Sequence, residues 1–414
     1  MKEKRGGFLA TLRPKFLNKT FYSLPLIIFL CSCSAYQRTY TLKVESEIPA
    51  QTPVFLRLPF TGEYLELSSP DVAFSPTIGE YIPADSAYLF ILDKAIPESP
   101  AFHIAVENAS QPAEKRMSWV ETDSTLTATA DKPILTFASS ILSPPTGLPN
   151  YYARGGFLHP VYSPSGKVIT DGFPAGHSHQ HGIFFAWTRS YLGGEEMDFW
   201  NQFKETANVR FEGLNEVEEF HQLLRLTSSQ TYLGIQKGPV LQEELTLKVY
   251  PGFSFHLWDV EVFQTNISPD TLHVDKYTYG GLGVRGSKYW NHEDSAHFKT
   301  DALFLTSEGK ERSTANHTRP LWTAIYGPLE SDTAGLAVFA HPENRRYPLP
   351  SRVHPEMPYF SISPQVLGGF SIPPDSTYRM KFRMMSFDGK PDSGLLNKIG
   401  EVWSTSPTVL TIDD

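Results

Sequence analysis

Apolar residues at every second position dominate this chain: Tyr40-Leu42-Val44, Val54-Leu56-Leu58, Leu245-Leu247-Val249, Phe253-Phe255-Leu257 and Tyr378-Met380-Phe382-Met384. A side-chain period of two is that of an extended strand with one face buried, and a helix cannot satisfy it. The 33 prolines and 29 glycines break these runs at short intervals, as turns between short strands require. Helical signals are scarce. The pattern predicts an all-β protein of sandwich type with many strands and long irregular connections.

In "FSFHLWDVEVF" the apolar parity changes from Phe253, Phe255 and Leu257 to Val260 and Val262. A bulge at Trp258 would restore one buried face, and Asp259 and Glu261 would then face water or a cleft. The stretch Asn108 to Lys115, "NASQPAEK", is polar and aperiodic and reads as a boundary. It divides a small β-sandwich over 40–116, a spacer or accessory domain without an evident site, from a larger sandwich over 117–414 that carries the candidate residues.

The first twenty residues hold six basic side chains against one acid, and the apolar run Phe21 to Leu30 follows. Ten apolar residues are too few to span a bilayer and match a secretory signal. Leu30-Cys31-Ser32-Cys33 has the form of a bacterial lipoprotein signal over 1–32, with Cys33 acylated after cleavage and 33–39 as tether. Cys31 is disfavoured because Phe29 and Leu30 stand where the cleaving enzyme wants small residues. The expected location is the cell envelope, anchored to a membrane only through the lipid. The outer membrane is favoured because Ser34 is not the Asp that retains lipoproteins on the inner one. With both cysteines spent on export, no disulfide or thiolate ligand remains. Removing the basic signal takes the net charge from −9 to about −14, which argues against nucleic acid as a partner.

Residues 176–182, "GHSHQHG", place three of the 13 histidines within five positions. On an extended chain His177, His179 and His181 would share one face. Three readings stay open: a divalent metal site of these imidazoles with a carboxylate, an acid/base or binding cluster in a sugar pocket, and ring nitrogens that cap loop carbonyls. Phe184 and Phe185, in "IFFAW", read as core; Trp187 and Trp200 flank the acidic loop "TRSYLGGEEMDFW" and are candidates for a sugar-stacking platform. One of Glu195, Glu196 and Asp198 would serve as base or metal carboxylate. His317 and His354 are weaker candidates, since a lone loop histidine is more often solvated than functional.

The run "GGFLHPVYSPSGKVITDGFPAGHSHQHGIFFAW", continued by "MDFWNQ", resembles the exported bacterial family labelled PmoA-like, or "methane oxygenase PmoA". His177 and His179 match family histidines, whereas Gln180 and His181 stand where many members have His and Arg. "DKYTYGGLGVRGS" and "GLAVFAHPENRRYPLPSRVH" resemble two further family segments, which brings in Lys276, Arg285, His341, Asn344 and Arg346. The resemblance implies a large β-sandwich like that of galactose mutarotases and a place in carbohydrate utilisation. Methane oxygenation is set aside, because beyond the signal no apolar segment is long enough to span a bilayer.

The resulting expectation is a catalytic set of His177, His179, Asp198, Lys276 and His341, with Arg285, Arg346, Asn344, Trp187 and Trp200 as binding residues. Imidazole and cationic groups together suit carboxylates, keto groups and developing oxyanions, hence uronic or oxidised sugars handled by a lyase, epimerase or hydrolase. The competing expectation is a surface lipoprotein that binds a glycan without turnover.

Overall fold

The alternating runs around Leu247, Leu257 and Phe382 become strands of one of two facing eight-stranded sheets, and those around Leu42 and Leu56 become strands of a third sheet. In the computed structural model, which describes residues 37–413 apart from 61, 76, 253, 406 and 407, the protein is an all-β sandwich. Cys33 and the signal segment lie outside the described residues, as does Phe253. The front sheet runs, in spatial order, Ser351–Val353, Tyr359–Ile362, Gly281–Arg285, Ile183–Ala186, Leu158–Val161, Pro133–Ala138, Thr125–Thr129 and Ser118–Glu121. The back sheet runs Ala207–Glu219, Leu224–Gly234, Gly238–Tyr250, Phe255–Asn266, Thr377–Asp388, Asp332–Ala340, Trp322–Leu329 and Leu303–Thr306. Phe184, Trp187, Trp200, Trp258, Phe382 and Met384 fill the core between them.

A seven-stranded third sheet takes six strands from residues 38–108 and a seventh, Thr408–Asp413, which pairs with Arg38–Val44. One of its faces gathers a core of its own: Tyr40, Leu42, Phe90 and Ile104 join the loop residues Ile48, Phe74 and Ile96. The other presents Ile82, Leu89 and Ile91 to Leu257, Phe339 and Met385 of the back sheet and to Leu396 and Ile399 of the helix Ser393–Ser404. The amino-terminal region is thus a single sheet completed by the far end of the chain, and residues 36–414 cluster as one compact unit.

That packing accounts for the parity change in "FSFHLWDVEVF". The strand Phe255–Asn266 pairs with both neighbours without a shift in register, so the expected bulge at Trp258 is absent. Phe255 and Leu257 point to the third sheet while Trp258, Val260 and Val262 point into the sandwich, so the strand is buried on both faces at its start. Two-sided burial erases alternation, and a sequence cannot distinguish it from a bulge. Among the described residues no helix is long and apolar enough to cross a membrane.

Candidate functional site

The segment 176–182 is a pair of turns rather than a strand. The His177 N–H donates to the Pro174 carbonyl (3.2 Å) and the Gln180 N–H to that of His177 (2.9 Å). Gly176 and Gly182 bound it with φ of +76° and +63°. A Cβ on Gly176 would sit 1.2 Å from Glu293 Oε2, and one on Gly182 would sit 2.3 Å from the Leu158 carbonyl oxygen. Glycine is therefore required twice over, for backbone handedness and for close approach.

Because the segment turns, its three histidines part company. His177 and His179 remain together, ring centroids 5.7 Å apart, whereas His181 is fully buried among Phe157, Phe173 and Phe184. Its Nε2 pairs with Gln202 Oε1 at 2.9 Å. The expected metal set of His177, His179 and His181 does not form. Among the described residues no three His, Cys, Asp or Glu side chains come together as a metal-holding group.

What joins His177 instead is His354, ring centroids 6.3 Å apart, from the loop after Ser351–Val353. His354 Nδ1 accepts from the backbone N–H of Met357 (2.9 Å) and Glu356 (3.2 Å), so in the neutral ring the proton sits on Nε2. His177 Nδ1 lies 3.4 Å from Glu293 Oε2. Arg285, at the end of its front-sheet strand, is fully buried beneath the cluster; its Nη1 donates to Gln180 Oε1 at 3.0 Å, and its Nε and Nη2 have no partner. The Tyr359 hydroxyl, also buried, lies beside Ser361 and close enough to Arg285 to feel its charge. Phe203, half exposed, stands 5.8 Å from the His179 ring.

Burial governs the titration here. It lowers His177, with help from the Arg285 charge, and it drives His179 down to about 3 and His354 to about 4, with neighbouring cations and histidines adding to the effect. All three are neutral at pH 7. Arg285 is itself lowered by burial to about 10 but keeps its charge. Asp171, whose backbone N–H donates to the Arg285 carbonyl at 3.2 Å, is raised by burial to about 6. The site therefore sets a buried positive charge among uncharged imidazoles, with the carboxylates of Asp171 and Glu293 acting on it from nearby.

Several expected members lie elsewhere. Asp198 is buried and saturated: it accepts from Thr188 Oγ1 (3.0 Å), from the backbone N–H of Trp200 (3.2 Å) and Asn201 (2.8 Å), and from Lys204 Nζ (2.8 Å). It anchors the loop that carries Phe203 and has no lone pair to spare as a base. Trp187 donates to Gln264 Oε1 (2.6 Å) and packs on Phe370 and Tyr378; Trp200 packs on Phe184, Tyr279 and Tyr359. Both are core, because a strand and its following loop return them between the sheets. Lys276 is exposed, outside the contacts of the cluster. Asn344 clamps the backbone of Lys381 through both ends of its amide, and Arg346 donates to the carbonyls of Pro364, Gly368 and Gly369. His341 sits against Trp403 in a separate cleft behind the back sheet, ring centroids 4.9 Å apart.

Of the expected residues, then, the fold brings together His177, His179 and Arg285. It draws in the weaker candidate His354 and adds Glu293, Tyr359, Phe203 and Asp171. Their separations along the chain leave no local pattern to read; the one hint was Gly176, which makes room for Glu293.

No curated protein matches the chain in sequence. Among solved structures, a galactose mutarotase related enzyme from Lactobacillus acidophilus is similar at 10% identity and a TM-score of 0.32, over 66% of this chain and 100% of that one. An alpha-mannosidase from Enterococcus faecalis is similar at 10% identity and a TM-score of 0.33, over 91% of this chain and 46% of that one. Likenesses at this level leave the chemistry to the site itself. Residues 124–400, which hold the cluster and most of both sandwich sheets, match a family of unknown function, DUF6807, and the chain belongs to that family.

Proposed function

We propose that this protein is an exported lipoprotein that binds an acidic or oxidised sugar over Arg285 and removes the proton beside its carboxylate or carbonyl. The observation that carries the reading is the pair of buried, unpartnered donors on Arg285. A buried guanidinium with open N–H groups is costly, by about 1–3 kcal/mol per lost partner or more for a charged group, unless oxygens arrive from outside. A carboxylate fits such a fork in two parallel bonds. The motif resemblance to the exported PmoA-like family supports the assignment to carbohydrate utilisation.

The neighbours supply the rest of the chemistry. His177 acts as the base, with Glu293 orienting the ring through Nδ1 and leaving Nε2 free to accept a proton. The C–H electron pair moves into the carbonyl, and Arg285 holds the oxyanion that forms. A proton returned from the opposite face gives an epimer; loss of an oxygen substituent from the next carbon gives an unsaturated sugar. His354, with its proton on Nε2, is placed to donate. Phe203 offers an apolar face for the ring to stack on. An anion on Arg285 also offsets part of the positive charge that depresses His177, and so brings the base toward working pH.

The test is exchange of deuterium from D₂O into the carbon beside the carboxylate of oligogalacturonates and the carbonyl of keto-sugars, followed by proton NMR. Wild type should exchange. His177→Gln should slow exchange by about 10²-fold or more while retaining affinity, and Arg285→Met should lose affinity. Binding with neither exchange nor unsaturated product in wild type would leave a glycan-binding protein without turnover, and equal rates in His177→Gln would remove the proposed base.

A further inference from the structure

A second cleft opens on the far side of the back sheet, where the edge strand Pro53–Leu56 of the third sheet stands over the outward residues of Gly238–Tyr250, Phe255–Asn266 and Thr377–Asp388. Its volume is about 830 Å³, enough for several sugar rings. Three of its cations are already matched: Arg383 forms a two-pronged pair with Asp259 (2.8 and 2.9 Å), Lys248 pairs with Asp85, and Arg379 pairs with Glu261. Those pairs use the acids of the lining, and a fourth acid, Glu343, also pairs with Arg379 (3.0 Å) and lies 3.8 Å from His341 Nδ1.

Among the described residues two cations of the lining form no ion pair, Arg57 and Lys381, the latter opposite Glu261 in the strand register while Glu261 pairs with Arg379. Lys381 Nζ stands 5.1 Å from the centre of the Trp403 ring, which Arg383 covers at 4.0 Å and His341 meets edge-on. The Trp403 indole N–H has no partner. A surplus of positive charge in a concave, aromatic-floored cleft, on a chain whose formal charge is −9, is a local reversal of the molecule's field. Mere sheet-on-sheet packing does not need it, since the apolar contact of Leu89 and Ile91 with Leu257 and Met385 already joins the two layers.

We propose that this cleft is a second saccharide site, which holds an acidic oligosaccharide through Arg57 and Lys381 with a sugar ring on the Trp403 side. The proposal rests on the reading that the protein handles acidic sugars. Its role is retention: a chain held here stays near the Arg285 site on the opposite sheet, raising the local concentration of the next substrate. His341 belongs to this cleft, as an edge-on neighbour of the ring.

The experiment is calorimetric titration of the purified protein with a galacturonate trisaccharide and with its neutral galactose counterpart, at low and high salt. The acidic sugar should bind at two sites, more weakly as salt rises, and the neutral one far less. Arg57→Ala/Lys381→Ala should weaken one site about tenfold or more and leave the other, and Arg285→Met should do the reverse. Lys381→Arg should retain binding, and unchanged melting temperatures would show that the variants are folded. A single site sensitive only to Arg285 would overturn the cleft and leave the first reading standing. A single site sensitive only to Arg57 and Lys381 would do the opposite, and no binding of the acidic sugar would overturn both.

Discussion

Single imidazoles set the response of this protein to acid. His179 and His256, each less than a tenth exposed, are pushed by burial to about 3 and about 4, below the ~6.5 of an unfolded histidine. Where the unfolded chain binds more protons than the folded one, stability rises with pH. The contribution of these histidines is therefore complete above the unfolded value and is lost as pH falls from about 6.5 toward 4. Asp171, raised by burial to about 6, works in the opposite sense and offsets part of the effect. The melting temperature should climb between pH 4 and 6.5 and then level; a flat profile would mean that the rings are solvated in the native state. At this scale the sequence was informative where residue type and chain position sufficed. The clustering of His177 and His179 could be read, and Arg285 entered as a binding residue through the motif resemblance, without any sign that it is buried. Asp198, Arg346 and Asn344 could not be sorted from the site, because a polar side chain that satisfies a loop and one that awaits a ligand have the same letter.

Strands were legible in proportion to how one-sided their burial is. Arg38–Val44 alternates along its length, and Thr377–Asp388 alternates as far as Phe382, beyond which both faces are buried. Phe255–Asn266 was misread as bulged because the third sheet covers its outer face over Phe255 and Leu257 but not over Thr265. The difference can be measured on one strand. Leu257→Ala should cost about 2–5 kcal/mol in urea unfolding, although it points away from the sandwich core. Thr265→Ala, on the same face eight residues further on, should change stability by less than about 1 kcal/mol. Equal costs would mean that the third sheet does not bury Leu257. The histidine segment was misread for a related reason: two glycines with positive φ make it a double turn, and alternation has no meaning there.

For the whole molecule, the sequence predicts an acyl anchor at Cys33, and this can be checked apart from any activity. Cys33→Ser should abolish incorporation of labelled palmitate and move the protein from the membrane to the soluble fraction of an expressing cell. Persistence in the membrane fraction would assign attachment to something else. The division into two successive domains was the least legible feature, since a polar linker at 108–115 marks where strands end without saying what later returns to them. Thr408–Asp413 does return, to lie beside Arg38–Val44. The strands of residues 38–108 alone would leave Arg38–Val44 as an open edge, a template for pairing with another chain, and Thr408–Asp413 covers it. Closure of the third sheet is therefore a contact of very high sequence separation, of the kind that forms late, and it protects against association only once it is made.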